Sequence, residues 1–270
     1  MTIDLPDCNT IELHQDSGVL RITLNRPDAR NAMTLAMVEE LIETFAAIAE
    51  STEIRAVVLW GAAGNFCAGG DIKDMSRIGK SAGESDDDRL FTLNRTFGHM
   101  ITQVNAAPQV VITLLEGAVL GGGFGLACVS DIAIADCGSQ FGMPETSLGL
   151  PPAQIAPFVV ARVGLMQARR LILTGARFDG DEARALGVVH FTTTSSEEME
   201  SVTEQQLQQI MRCAPAANRV TKDLILSVGR VEHEQLLDNA AREFAAAIQG
   251  EEGREGMRAF IEKRPARWAK

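Results

Sequence analysis

Glu116-Gly117-Ala118-Val119-Leu120-Gly121-Gly122-Gly123-Phe124-Gly125-Leu126-Ala127 is the stretch on which the fold turns. A short apolar run reaches three consecutive glycines, and the residues after them read as a short helix. A glycine turn at that point leaves unpaired N–H groups at a helix N-terminus, where the helix dipole favours negative charge. A dinucleotide fingerprint would need GxGxxG, but counting from Gly121 puts Leu126 at the last position, so that reading fails.

Outward from this turn the chain reads as strands alternating with helices. Val110 to Leu115 and Ile132 to Ala135 are short apolar runs of the kind that form buried strands, and Gly18 to Leu24 and Ile54 to Leu59 are β-rich. Val38, Leu41, Ile42, Phe45 and Ile48 recur at helical spacing, with Thr34 placed as N-cap. A further helix is expected from about Arg89 to Gln103. The acidic patch Glu84 to Asp88 before it reads as a mobile loop. Beyond Pro151, the segments 157–163, 166–173 and 180–186 look helical, and Val188 to Phe191 looks like a strand. From Glu197 onward the chain is almost wholly helical, with a break at Pro215. This is an α/β pattern of repeated strand-turn-helix units, placed at 1–195, followed by a helical region at 196–270.

Bulk composition narrows the function. The 270 residues, 46% of them hydrophobic, suffice for one substantial core. No window approaches the ~18 uncharged apolar residues of a membrane span. Met1 to Asn9 carries Asp4 and Asp7 and lacks the basic, then apolar, pattern of a secretory signal. Cys8, Cys67, Cys128, Cys137 and Cys213 form an odd set without a CxxC pair, which argues against a disulfide framework or zinc site and fits a reducing cytoplasm. A net charge of −11 repels nucleic acid and anionic membranes, and means that an anionic small molecule needs a local basic patch. There is no GxSxG elbow, and His233-Glu234 lacks a second histidine at 237, so neither a serine hydrolase nor a zinc protease is indicated.

Two more segments stand out. Leu24-Asn25-Arg26-Pro27-Asp28-Ala29-Arg30-Asn31-Ala32 is a polar turn leaving a strand for a helix. Phe66-Cys67-Ala68-Gly69-Gly70-Asp71-Ile72-Lys73 carries paired glycines that can expose backbone N–H groups, with Asp71 able to cap a following helix. With the glycine turn, Phe141-Gly142-Met143-Pro144-Glu145 and the tail 256–264, they resemble the enoyl-CoA hydratase/isomerase (crotonase) family in order and spacing over nearly the whole chain. The resemblance implies the crotonase (ClpP-like) fold, a repeated ββα superhelix with a C-terminal helical region that assembles as a homotrimer or a hexamer.

It also implies an acyl-CoA thioester as substrate, with coenzyme A part of the substrate and no separate cofactor or metal. The N–H groups of Ala68 and Gly122 are expected to form an oxyanion hole. Two preorganised donors stabilise a thioester enolate more than its ground-state carbonyl, and losing one typically costs ~3 kcal/mol. Glu145 is expected to move the protons, its carboxyl raised towards the working pH by an apolar pocket. Coenzyme A contacts fall on Ala29, Arg30, Ala68, Gly70, Asp71, Ile72, Phe260 and Lys263, the last two shared with a neighbouring subunit, and Arg26, Arg30 and Lys263 could supply positive charge. The family's first glutamate is replaced by Gly125.

Three activities are compatible with a single glutamate: hydration of an unusual enoyl-CoA, double-bond isomerisation, and a decarboxylase- or hydrolase-like variant. A non-catalytic acyl-CoA-binding paralogue is a further reading, and retention of Glu145 and both glycine loops speaks against it. The run Gly149 to Val160, with GGGFG, looks like the branch acting on 3-branched glutaconyl-CoA esters, the methylglutaconyl-CoA and isohexenylglutaconyl-CoA hydratases. On that reading Gly125 leaves room beside the reacting carbons, and Gln154 is a candidate to hold the substrate's own carboxylate.

Overall fold

Apolar strands with one or both faces covered, each leading into a helix, wind the chain into a layered α/β body. The structure, a computed structural model, describes residues 4–74 and 86–269. In chain order it runs β1 (Ile11–Asp16), β2 (Val19–Leu24), α1 (Leu35–Ile48), β3 (Ala56–Gly61), α2 (Asp86–Ala106), β4 (Val110–Leu115), β5 (Ala118–Leu120) and α3 (Gly122–Val129). Then come β6 (Ile132–Asp136), β7 (Gln140–Gly142), α4 (Ala156–Thr174), β8 (Arg177–Phe178), α5 (Gly180–Ala185), β9 (Phe191–Thr193), α6 (Ser196–Arg212), α7 (Pro215–Ser227), α8 (His233–Gln249) and α9 (Glu251–Ile261).

The main sheet has the order β1-β2-β3-β4-β6-β9, and β5-β7-β8 form a smaller one. Every pairing in the main sheet is parallel except the β1–β2 hairpin. One core lies under α1, α2 and α3 and includes Leu24, Met37, Leu41, Phe45, Met100, Phe124 and Phe141. The other face of the sheet is covered by α6 through Met199, Leu207 and Ile210. The boundary at 195 therefore falls just before a helix that belongs to the sheet. The helices without buried residues are α7 and α8, beyond Pro215.

Most expected elements form, and α1 has its cap, with Thr34 Oγ1 accepting from Met37 N at 3.3 Å. Three segments differ. The patch Glu84 to Asp88 is not all loop: Asp86–Asp88 open α2. Glu84 and Ser85 lie outside the described residues. The strand expected at Val188 to Phe191 begins only at Phe191, because Gly187 at φ 77° turns the chain first. The two helices expected after Pro157 form one element, interrupted at Gly164 with φ 74°.

Candidate active site

The polar turn after β2 is built as a clamp. Asn31 is fully buried and adopts φ 56°. Its Oδ1 accepts from Arg26 N at 2.9 Å, and its Nδ2 donates to the carbonyls of Ala62 (2.9 Å) and Asn65 (2.6 Å). Arg26 reaches across to Asp71, Nη2 to Oδ2 at 3.0 Å, and also donates to the Ala32 carbonyl. Arg26 is thus committed to holding two loops together, which leaves Arg30, among the described residues, as the free cation of the expected patch on these loops. Asp71 also caps the turn at 72–74, accepting from Lys73 N (3.0 Å) and Asp74 N (3.1 Å). Burial opposes its charge but is outweighed by the Asp74 N–H and the Arg26 guanidinium, so the carboxyl stays below its usual range.

Ala68 does not supply the expected oxyanion donor. Its N–H is already spent, donating to the Arg30 carbonyl at 3.0 Å. The donor left without an acceptor in this loop is Gly70. Met33 pairs with it as in a parallel ladder, through Met33 N to Gly69 O (2.8 Å) and Asp71 N to Met33 O (2.9 Å). That pattern turns the N–H of Gly70 away from Met33, towards the side where Gly69 abuts Gly121. The pairing register is the missing signal, and neither composition nor motif reveals it.

Gly121 and Gly122 bring the second donor. Gly121 holds φ 50° and ψ −116°, a conformation open to glycine, and Gly122 is the first residue of α3. As a helix-opening residue, Gly122 has no acceptor within the helix for its N–H. A Cβ on Gly121 would stand 2.6 Å from Glu145 Oε1 and 3.4 Å from the Gly69 Cα. The Glu145 carboxyl and the two glycine loops therefore meet at one point. A Cβ on Gly122 would touch the Phe97 ring (3.1 Å) and Met33 Sδ (3.2 Å), so the wall beside the donor is apolar.

Glu145 sits in the short 3₁₀ turn Pro144–Leu148 after β7. Its Oε2 is buried without a hydrogen-bond partner. Burial raises its pKa, partly offset by its own backbone N–H. A buried carboxyl with a free oxygen is poised to accept and return a proton. Cys67, also at the site, is no rival nucleophile: complete burial pushes its thiol up to about 12.

Gly125 leaves no room beside the reacting carbons. A Cβ there would lie 2.1 Å from Ile155 Cγ2 and 2.9 Å from Ile101 Cδ1, so two buried isoleucines occupy that place. Gln154 is likewise engaged: its Oε1 accepts from Arg95 Nη1 at 2.6 Å, and its Nε2 donates to Asn94 Oδ1 at 2.7 Å. Ala29, Arg30, Gly70 and Ile72 line the loops around the donors, with Arg30, Gly70 and Ile72 exposed. Phe260 and Lys263 are not brought to this point. Among the described residues, side-chain bonds of the C-terminal segment run within it, at Glu255 and Glu262, and to Arg55 and Arg212, and Phe260 is 86% exposed.

A cleft of ≈ 620 Å³ on the α6 side of the sheet is lined by Trp60, Glu116, Glu197 and Glu200 and shares no residue with this site. Its carboxylates disfavour an anionic ligand. No helix among the described residues is long and apolar enough to cross a membrane.

The sequence profile of the enoyl-CoA hydratase/isomerase family matches residues 14–270. The structure of Pseudomonas aeruginosa AtuE superposes with a TM-score of 0.94 at 56% identity, covering 97% of this chain and 100% of that one. An enoyl-CoA hydratase/isomerase from Marinobacter aquaeolei gives 0.94 at 55% identity, with 97% and 100% covered. The short-chain-enoyl-CoA hydratase of Clostridium acetobutylicum is 30% identical over 262 residues, 96% of this chain and 97% of that protein. The chain has the crotonase α/β fold with a helical C-terminal region, and it belongs to the enoyl-CoA hydratase/isomerase family as an enzyme of the enoyl-CoA hydratase type.

Proposed function

We propose that this enzyme adds water to, or removes it from, a 3-branched glutaconyl-CoA such as isohexenylglutaconyl-CoA, with Glu145 as its single proton-transfer carboxylate. One observation carries the reading: the place of a second carboxylate at Gly125 is filled by Ile155 and Ile101. A plain enoyl-CoA would leave the attacking water with one protein carboxylate, whereas a glutaconyl group brings its own.

In the hydration direction, Glu145 accepts a proton as the water oxygen bonds to carbon 3, and negative charge moves to the thioester oxygen. The N–H groups of Gly70 and Gly122 receive that charge, in place of the Ala68 and Gly122 pair expected from the sequence. Glu145 then delivers the proton to carbon 2, so one water is consumed and no other reactant is needed. The apolar wall of Phe97 and Met33 beside Gly122 supports an acyl group with an apolar branch. Isomerisation is the second reading, because the same lone carboxylate could carry a proton between carbons 2 and 4.

The test is kinetic. kcat/KM for a 3-branched glutaconyl-CoA should exceed that for crotonyl-CoA by at least tenfold. A preference for crotonyl-CoA would remove the proposed substrate while leaving the family assignment intact.

Assembly as a homotrimer or a dimer of trimers is part of the same proposal. It is supported by α7 and α8, none of whose residues is fully buried within the chain, and by the exposure of Phe244 (69%) and Phe260 (86%). Sedimentation should give a trimer or hexamer, and deletion after Arg254 should weaken coenzyme A binding. A fully active monomer would contradict it.

A further inference from the structure

We propose that Arg95 is the specificity residue that recognises a carboxylate at the far end of the acyl group, with Gln154 as the residue that positions it. This rests on the hydratase reading above and names the group that reads the substrate's charge.

Arg95 lies in α2, two residues before Phe97, whose ring touches the Gly122 position. Its charge is partly buried, and its bonded partner is a neutral amide oxygen, Gln154 Oε1 at 2.6 Å. Among the described residues no carboxylate pairs with it, although acidic residues outnumber basic ones, 36 to 25, in the chain. A guanidinium has five N–H donors, and Gln154 takes one, on Nη1. A partly buried cation bonded, among the described residues, only to a neutral amide has donors left for an anion, and its planar fork suits a carboxylate with two oxygens.

The surroundings are shaped to hold that arrangement. Gly98 sits inside α2, where glycine weakens a helix. A Cβ there would fall 2.1 Å from Gln154 Oε1 and 2.8 Å from Arg95 Nη1, so an alanine could not coexist with the pair as it stands. Gln154 is fixed from its other end by Asn94 Oδ1 at 2.7 Å. The next residue, Ile155, packs on Gly125, one helical turn from the glycine loop that offers the Gly122 N–H. The Arg95–Gln154 pair is thereby joined through Ile155 to the Gly125 side of the site, which the proposal takes as the acyl end.

The experiment compares 3-methylglutaconyl-CoA with its neutral counterpart 3-methylcrotonyl-CoA, in the wild type and in Arg95→Met and Arg95→Lys, with circular dichroism to confirm folding. Arg95→Met should lose roughly 10- to 100-fold in kcat/KM for the carboxylated ester, the range of a lost charge-assisted hydrogen bond, mostly through KM. The neutral ester should change less than threefold. Arg95→Lys should keep part of the preference and serves if the methionine variant fails to fold. A wild type that prefers the carboxylated ester, with Arg95→Met keeping that preference, overturns the role of Arg95 alone. A wild type indifferent to the carboxylate overturns both this inference and the proposed substrate.

Discussion

Glu145→Gln is expected to lower turnover at least ~100-fold while coenzyme A esters still bind. The amide keeps the shape of the side chain but cannot accept the proton from water. The same substitution should raise stability at neutral pH, because burial makes the charged form of Glu145 unfavourable and its Oε2 has no partner. The sign follows from linkage. A carboxyl whose folded pKa lies above its unfolded value binds more protons when folded, so wild-type stability falls as pH rises through that window. The variant should thus melt above wild type at pH 8, and the gap should close below the ordinary carboxyl range, where the group is neutral in both states. Near-normal turnover in the variant would remove Glu145 from the chemistry.

The second large effect concerns the absent carboxylate. Gly125→Glu restores the family's usual residue, yet it is expected to cost about 3 kcal/mol or more, from overpacking together with an unpaired buried carboxyl. The added Cβ alone would meet Ile155 Cγ2 at 2.1 Å. For a domain of this size that corresponds to roughly 6–12 °C in Tm. Gly125→Glu with Ile155→Ala should melt above the single variant, since the first clash is then gone. A Gly125→Glu protein that melts like wild type would show that the isoleucine wall yields easily, and would undo the argument that the site is built for one carboxylate.

The parts of this structure that were legible in the sequence are those set by local pattern. The strand at Val110–Leu115 is a near-continuous apolar run because both faces of the sheet are covered there, whereas Val19–Leu24 breaks its apolar run at Arg21, which faces solvent. The helix after Thr34 announces itself by period and cap. By contrast, β1 (IELHQD) reads as a polar segment because it is an edge strand largely open to water. Glu145, Gly122 and the two glycine loops, which the structure brings together, were singled out by motif, but that the Ala68 N–H is paired while, among the described residues, the Gly70 N–H is not depends on the bonds made by Arg30 and Met33. Such pairings are non-local. Arg26 meets Asp71 across 45 residues and Arg95 meets Gln154 across 59, and no spacing rule joins partners so far apart. The packing of Ile155 against Gly125 is non-local in the same way, which is why a glycine there suggested open space and the structure has none.

The central claim is that one carboxylate, two backbone donors and a carboxylated substrate suffice to add water. Mass spectrometry of the product formed from a 3-branched glutaconyl-CoA tests it most directly, with crotonyl-CoA and a 3-enoyl-CoA run beside it. The predicted result is a gain of one water on the glutaconyl ester at a rate above that on crotonyl-CoA. An unchanged mass with a shifted double bond, most rapid on the 3-enoyl-CoA, would contradict the account and make the enzyme an isomerase.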